Sequence, residues 1–316
     1  MSSIIVLHDS DNVGICKVSL PAGVLFAERD VTLLRDIPAM HKVAMRNIAQ
    51  GEPILKYGQT IGFASQAIPA GDHVHVHNCV MGALEKDYGF CEEARPTEFL
   101  PVEQRATFEG YKRINGKVGT RNYVGILTTV NCSATVAKAI AQHFTYSGEL
   151  EQYPHIDGVV AMTHDSGCGM RSDGEGYETL RRTFNGYARH PNFGGVMMVG
   201  LGCETMQIQR VMEECGLADS KTFTAYTIQD VGGTRIAIEK GIETLRAMLP
   251  LVNQCERETV PASELIIGLQ CGGSDALSGI TANPALGIAG DILVRHGGTV
   301  ILSGSPGNFG AEHLLT

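Results

Sequence analysis

Along residues 1–80, short apolar runs alternate with polar turns. Residues 4–8, 13–20, 31–34, 42–47, 53–56 and 60–64 read as strands. They are separated by turns such as Ser10-Asp11-Asn12, Pro21-Ala22-Gly23, Gln50-Gly51-Glu52 and Pro69-Ala70-Gly71-Asp72. Runs this short between turn residues predict a small all-β domain. Its last strand spans 71–78. Period-two alternation there puts His73, His75 and His77 on one face and Val74 and Val76 on the other.

Residues 79–118 have mixed charge and no clear period, so they read as a linker with the domain boundary near residue 100. Within it, residues 108–117 predict a hairpin with an Asn115-Gly116 turn. From Thr120 onward the pattern changes. Apolar strands at 123–130, 157–163, 194–201, 222–226, 265–270 and 299–302 alternate with amphipathic helices at 133–144, 175–187, 204–215, 231–249 and 285–296. Ser133 is the expected N-cap of the first helix. This alternation predicts a doubly wound parallel α/β domain. The expected division is therefore 1–100 for the β domain with its linker and 101–316 for the α/β domain.

Four of these strands deliver a cysteine just past the carboxyl end: Cys132, Cys168, Cys203 and Cys271. In a parallel sheet those ends share one edge. The segment 268–284 is the richest loop, with Cys271-Gly272-Gly273-Ser274-Asp275 followed by Ser278, Thr281 and Asn283. Small polar residues at the carboxyl end of a buried strand are where open α/β sheets bind ligands. An ordinary glycine-rich turn is the plainer alternative.

Composition narrows the class. The 316 residues are 43% hydrophobic and 19% charged, as in globular domains. A net charge of −9 excludes broad phosphate-backbone binding, which needs clustered Lys and Arg. No stretch is apolar enough to span a bilayer, and residues 1–12 carry no basic segment preceding a secretion-length apolar run. Nine cysteines with no CxxC pair fit neither a disulfide framework nor a zinc ribbon. A reducing cytoplasm is the expected compartment.

The candidate chemistry follows from residue types. Three imidazoles on one face either bind a metal or protonate an oxyanion, and the alternative is a solvated strand face. Thiolates of Cys132, Cys168, Cys203 and Cys271, with His164 and Glu204 nearby, suit iron, zinc or an iron–sulfur site. Buried small cysteines packing under tight turns are the alternative. Arg121, in Gly119-Thr120-Arg121-Asn122, either forks onto a carboxylate or stands on the surface. His41-Lys42 and His8 with Asp11-Asn12 either reach a site or stand exposed.

Seven ordered segments resemble one family. They are HDSDNV (8–13), HKVAM (41–45), KYGQTIGFA (56–64), GDHVHVHN (71–78), GTRNYVGI (119–126), HPNFGGVMMVGLGCE (190–204) and QCGGSDALSGITANP (270–284). Together they look like the altronate/galactarate dehydratase family. The resemblance implies an N-terminal SAF domain of β-clip fold, a large α/β catalytic region, and a hydro-lyase that converts a sugar acid to a 2-keto-3-deoxy acid. It also implies a divalent metal, Fe2+ first, with Mn2+ or an iron–sulfur site as alternatives, and a homo-oligomer.

Galactarate-type members read GTKN where Arg121 stands and lack the histidines at 73, 75 and 77. Altronate is thus the expected substrate, with galactarate, another aldarate or a related sulfo-lyase reaction as alternatives. The implied roles are His73 and His75 as metal ligands or acid/base, and Lys42 and Arg121 on the carboxylate. His8, Asn12, Asn122, Ser274, Asp275 and Asn283 would bind substrate. The metal set would be Cys132, His164, Cys168, Cys203 and Cys271. Family members extend beyond residue 316, so the terminal part of the catalytic region is expected to be absent. A sugar-acid-binding form without catalysis is the reading from a different class. No GxGxxG follows the strand at 123–130, which argues against a nucleotide-binding oxidoreductase.

Overall fold

Polar turns pin the N-terminal strands into short antiparallel pairs. The computed structural model describes residues 3–83, 89–91, 94–270, 277–304 and 312–315. Strands β1 (Ile4–Ile5), β2 (Val13–Cys16), β3 (Leu25–Phe26), β4 (Val31–Thr32), β5 (Lys42–Ala44), β6 (Pro53–Lys56), β7 (Gln59–Ala64), β8 (His73–Val74) and β9 (Cys79–Val80) are all short. They form three sheets, in the orders β1-β2-β5-β8, β3-β4 and β6-β7-β9. Two apolar clusters fill the domain, one around Ile4, Phe26, Leu33 and Val43, the other around Val13, Ile48, Ile54 and Ile68.

The strand expected at 71–78 is interrupted. Only His73–Val74 is extended. Asn78 folds the rest into a turn: its Oδ1 accepts from the His75 N–H (3.0 Å), and its Nδ2 donates to the His73 carbonyl (2.8 Å). Val76, expected inside, is 79% exposed, whereas Val74 is buried. A side-chain amide competing locally for backbone groups has overridden the alternation.

Residues 101–265 form a compact unit of their own, and residues 266–316 group with 1–100. In the 101–265 unit, β10 (Thr107–Lys112) pairs with β11 (Val118–Gly119) across the expected Asn115-Gly116 turn, and also with β16 (Glu258–Pro261). The central sheet is parallel, with strands β12 (Tyr123–Thr128), β13 (Gly158–Met162), β14 (Phe193–Gly200) and β15 (Phe223–Thr227) in the order β13-β12-β14-β15. Helices α1 (Ala134–Tyr146) and α4 (Thr234–Val252) cover one face around Ile126, Ile140, Met197 and Leu245. Helices α2 (Glu175–Ala188) and α3 (Ile208–Cys215) cover the other around Leu127, Tyr177, Met198 and Val211. Helices on both faces explain why these strands read as continuous apolar runs.

Two local expectations change. Ser133 occupies the N-cap position of α1 but makes no capping bond. Its hydroxyl donates instead to the Val130 and Val199 carbonyls, at 2.9 and 2.8 Å. Helix α3 begins at Ile208 rather than 204, because Glu204 is held inside the preceding loop.

In residues 266–316, β17 (Ile266–Leu269), α5 (Ala282–Arg295) and β18 (Thr299–Leu302) form a strand–helix–strand unit with β17 parallel to β18. The strand–helix alternation predicts one doubly wound parallel α/β domain over 101–316. Among the described residues β17 and β18 pair only with each other. Their apolar runs match those of the central strands, but a run of residues does not encode which neighbour a strand takes.

Candidate functional site

The β domain gathers four imidazoles. The β5–β8 ladder sets Val43 opposite His73 and Lys42 opposite Val74. His41, one residue before β5, meets His73 at 2.8 Å between Nδ1 and Nε2. The turn made by Asn78 folds the following histidines back. Ring centroids lie 5.0 Å apart for His41–His75, 5.5 Å for His73–His75 and 5.4 Å for His73–His77. The histidine group foreseen from alternation therefore exists, but a turn builds it, and His41 belongs to it. Burial first, then the neighbouring His41, His77 and His75 and the Arg35 charge, push the His73 imidazolium down to about 4. His73 is therefore neutral at pH 7 and resists protonation.

Beside this group lies a cavity of about 320 Å3 lined by Lys42, Lys56, Ile61, Val74, His75, Val76 and Cys79. Lys56 reaches it from a two-residue hairpin turn in which Tyr57 (φ 56°) and Gly58 (φ 68°) both take the left-handed conformation. Asp11 holds that turn: its carboxylate accepts from the Tyr57 N–H (3.0 Å) and the Gly58 N–H (2.7 Å), and also from the His8 N–H (3.1 Å). Burial first, then the Lys42 charge, lower the Lys56 ammonium below its ordinary range, and Asp11 opposes them. Burial raises the Cys79 thiol.

The structure places three of the expected substrate binders as follows. Asn12 is buried, its Nδ2 donating to the Pro53 carbonyl (2.8 Å) and its Oδ1 accepting from the Leu55 N–H (2.7 Å). Both polar ends of its amide are thus engaged. His8 is exposed, and its ring bonds Ser10 (2.8 Å) and lies against Gly58. Asn283 is exposed in the first turn of α5, with its N–H on the Ser278 carbonyl (2.8 Å). Cys271, Ser274 and Asp275 lie outside the described residues.

The parallel sheet carries the second group. Cys132 follows β12 in a short turn, Cys168 follows β13, and Cys203 follows β14, all exposed. Backbone bonds stitch the three loops together. The Asn131 N–H donates to the Ser166 carbonyl (2.9 Å), the Thr205 N–H to Gly167 (3.2 Å), and the Thr205 hydroxyl to Cys168 (2.9 Å) and Met170 (3.1 Å). Gly167 (φ 97°) is needed here, because a Cβ would stand 2.2 Å from the Thr129 carbonyl oxygen. Desolvation, then the Cys168 and Cys203 thiols beside it, raise the Cys132 thiol above its ordinary range.

Glu204 anchors the third loop from beneath. It is buried, and it accepts from the Thr129 hydroxyl (2.7 Å) and from the Leu201 and Gly202 N–H groups (3.1 and 2.6 Å). The His164 ring is held by backbone groups. Its Nε2 bonds the Thr128 carbonyl (2.8 Å) and its Nδ1 accepts from the Ser166 N–H (3.1 Å), so both ring nitrogens are used.

Arg121 and Asn122 stand at the amino end of β12, the opposite edge of the sheet from the thiols. Asn122 is buried, tied to His155 (2.7 Å), Val252 (3.1 Å) and Asp157 (2.6 Å), and its Oδ1 has no partner. Arg121 is half exposed, 3.8 Å from Asp157. The structure therefore does not bring either residue to the thiol edge.

By donor chemistry the thiol set suits a soft or borderline metal. Among the described residues, however, no three His, Cys, Asp or Glu side chains form a group that could hold one ion. Among the described residues no helix is long and apolar enough to cross a membrane.

Comparison with known proteins matches these parts in order. Residues 2–82 match the altronate/galactarate dehydratase SAF domain, 110–253 the second domain of D-galactarate dehydratase/altronate hydrolase, and 262–316 the D-galactarate/altronate dehydratase C-terminal model. The chain is 37% identical over 314 residues to altronate dehydratase of Escherichia coli (strain K12), covering 98% of this chain and 62% of that protein. It is 38% identical over 320 residues to galactarate dehydratase (L-threo-forming) of the same organism, covering 99% of this chain and 61% of the relative. Over 88 residues, 25% of this chain, it is 41% identical to the (2R)-sulfolactate sulfo-lyase subunit alpha of Chromohalobacter salexigens and covers 94% of that subunit. The chain thus spans about three fifths of the length of the two dehydratases it matches. With a β domain, a parallel α/β unit and a following strand–helix–strand segment each matched by the family's own models, the chain belongs to the altronate/galactarate dehydratase family.

Proposed function

We propose that this chain carries a substrate site of a sugar-acid hydro-lyase acting on altronate. The observation that supports it is the cavity where Lys42 and His75 stand together against the apolar Ile61 and Val74. Lys42 would hold the substrate carboxylate, which acidifies the adjacent C2–H bond. His75 would take the C2 proton as general base. The electron pair of that bond forms the C2–C3 double bond, and the C3 hydroxyl leaves as water with the proton that His75 has taken up. The enol then tautomerises to the 2-keto-3-deoxy acid. His41 and His73 stand behind His75 and orient it, His73 being neutral at pH 7.

Galactarate is the second reading, favoured by the near-equal identity to altronate and galactarate dehydratases. The divalent iron that the family resemblance implies has no three-residue site among the described residues, so it is supplied in the test. The test is to supply the purified chain with ferrous iron anaerobically, add each acid, and follow the 2-keto-3-deoxy product. Product from altronate that falls by about a hundredfold or more in His75→Gln supports the reading, since a positioned acid/base contributes roughly that much. No product from either acid overturns it.

A further inference from the structure

The β6–β7 hairpin turn is held in an uncommon conformation, and what it presents is a lysine. A non-glycine residue at positive φ is uncommon and persists where its surroundings over-determine it. At Tyr57 they do, through the Asp11 carboxylate on two successive N–H groups and through the Tyr57 hydroxyl, which donates to the Gly279 carbonyl at 2.5 Å. The residue just before this turn is Lys56. It is half-buried, lines the same cavity as Lys42, and comes close to Gly279, where a side chain would begin 3.9 Å from its Nζ.

The charges around it are uneven. Lys42 on β5 is the like charge near enough to be felt at Lys56. His75 and Cys79 face the same cavity from the turn after β8 and from β9. Among the described residues Asp11 is the opposite charge that acts on Lys56, and its oxygens already accept three backbone N–H groups. Among the described residues neither Lys42 nor Lys56 forms an ion pair. Two ammonium groups near one half-apolar cavity without a carboxylate partner cost free energy unless an anion completes them.

We propose that Lys56 and Lys42 form a two-armed receptor for the carboxylate of a polyhydroxy acid, with Lys56 the arm that fixes its orientation. Lys56 comes from the hairpin and Lys42 from the neighbouring sheet, so an anion bridging them is held against rotation as well as attracted. A neutral polyol gains nothing from either arm. The inference rests on the sugar-acid reading of this cavity, but it concerns binding and is tested apart from turnover.

The experiment is calorimetric titration of the metal-free chain with galactarate and altronate, using sorbitol as the neutral control. It is repeated on Lys56→Met and Lys56→Arg, with folding checked by circular dichroism. We expect both acids to bind and sorbitol not to. Lys56→Met should weaken binding by roughly tenfold to a hundredfold, the range of one hydrogen bond to a charged group, and Lys56→Arg should restore most of it. In chains carrying 13C-methylated lysine, the Lys56 resonance should titrate at higher pH once acid is bound. Unchanged affinity in Lys56→Met, or no acid binding by the wild-type chain, overturns the receptor. Binding that depends on Lys56 in a chain that never forms product leaves the receptor standing and removes the hydro-lyase reading. Product formation that ignores Lys56→Met does the reverse.

Discussion

His41 Nδ1 and His73 Nε2 stand 2.8 Å apart, so one proton serves both nitrogens. Protonating the pair fully would place two cations in contact, with His75 and His77 close by. The His73 value of about 4 against an ordinary 6.5 reflects burial first and this crowding second. Between those values the unfolded chain binds a proton at this position that the folded chain refuses. Stability therefore rises with pH across the window and is lost as pH falls from about 6.5 towards 4. Thermal melts from pH 7 to pH 4.5 should show a falling midpoint, with a shallower fall in His73→Asn. An equal slope in the variant would contradict the assignment.

Glu204→Ala should unfold at lower urea concentration, by about 2–4 kcal/mol, because it strands two backbone N–H groups and the Thr129 hydroxyl in a buried place. It should also change the rate at which iodoacetamide labels Cys203, one residue away, while the labelling of Cys79, in the β domain, is unaltered. Peptide mapping after timed labelling reads both rates.

Asn122→Ala and Arg121→Ala should part company. The first removes amide bonds to two carbonyls that tie β12 to the segments at His155 and Val252, and about 1–3 kcal/mol is expected to go with them. The second loses a half-exposed ion pair at 3.8 Å, expected to be worth less than about 1 kcal/mol. Denaturant midpoints measured side by side decide this. In any chain that shows turnover, Arg121→Ala should leave kcat unchanged, which would separate Arg121 from the carboxylate-holding role its sequence context suggested.

Gly167→Ala places a methyl group against the Thr129 carbonyl oxygen and demands a left-handed alanine. A loss of stability above about 1 kcal/mol is expected. Because Gly167 also accepts from the Thr205 N–H, its displacement should loosen the three thiol loops together. Faster labelling of Cys132, Cys168 and Cys203 in the variant is the readout. If only Cys168 responded, the loops would not be acting as one unit.

Much of this architecture is legible because its periods are local. The switch from short alternating strands to strand–helix alternation near Thr120 is carried by side-chain patterns spanning a few residues. So is the arrival of Cys132, Cys168 and Cys203 at one sheet edge, which follows once the strands are parallel. What escaped the sequence depends on hydrogen bonds made at close range by polar side chains. Asn78 folds a strand into a turn, and Glu204 delays α3 by several residues. The edge at which a residue sits also matters: Arg121 and Asn122 precede β12, and in a parallel sheet a position before a strand lies far from one after it. Lys56 went unremarked because neither its burial nor its nearness to Lys42 leaves a trace in spacing.

The strand order β13-β12-β14-β15 has a consequence for the thiol edge. From β12 the chain adds a neighbour on one side and then returns past β12 to add β14 on the other. The chain leaves β12 towards the α1 face and leaves β14 towards the α3 face. Between two adjacent strands whose exits diverge, a crevice opens at the carboxyl ends. Cys132 and Cys203 stand on its two banks. The opening is created by the winding of the chain. Inserting or deleting a strand between β12 and β14 would abolish it even with every cysteine retained.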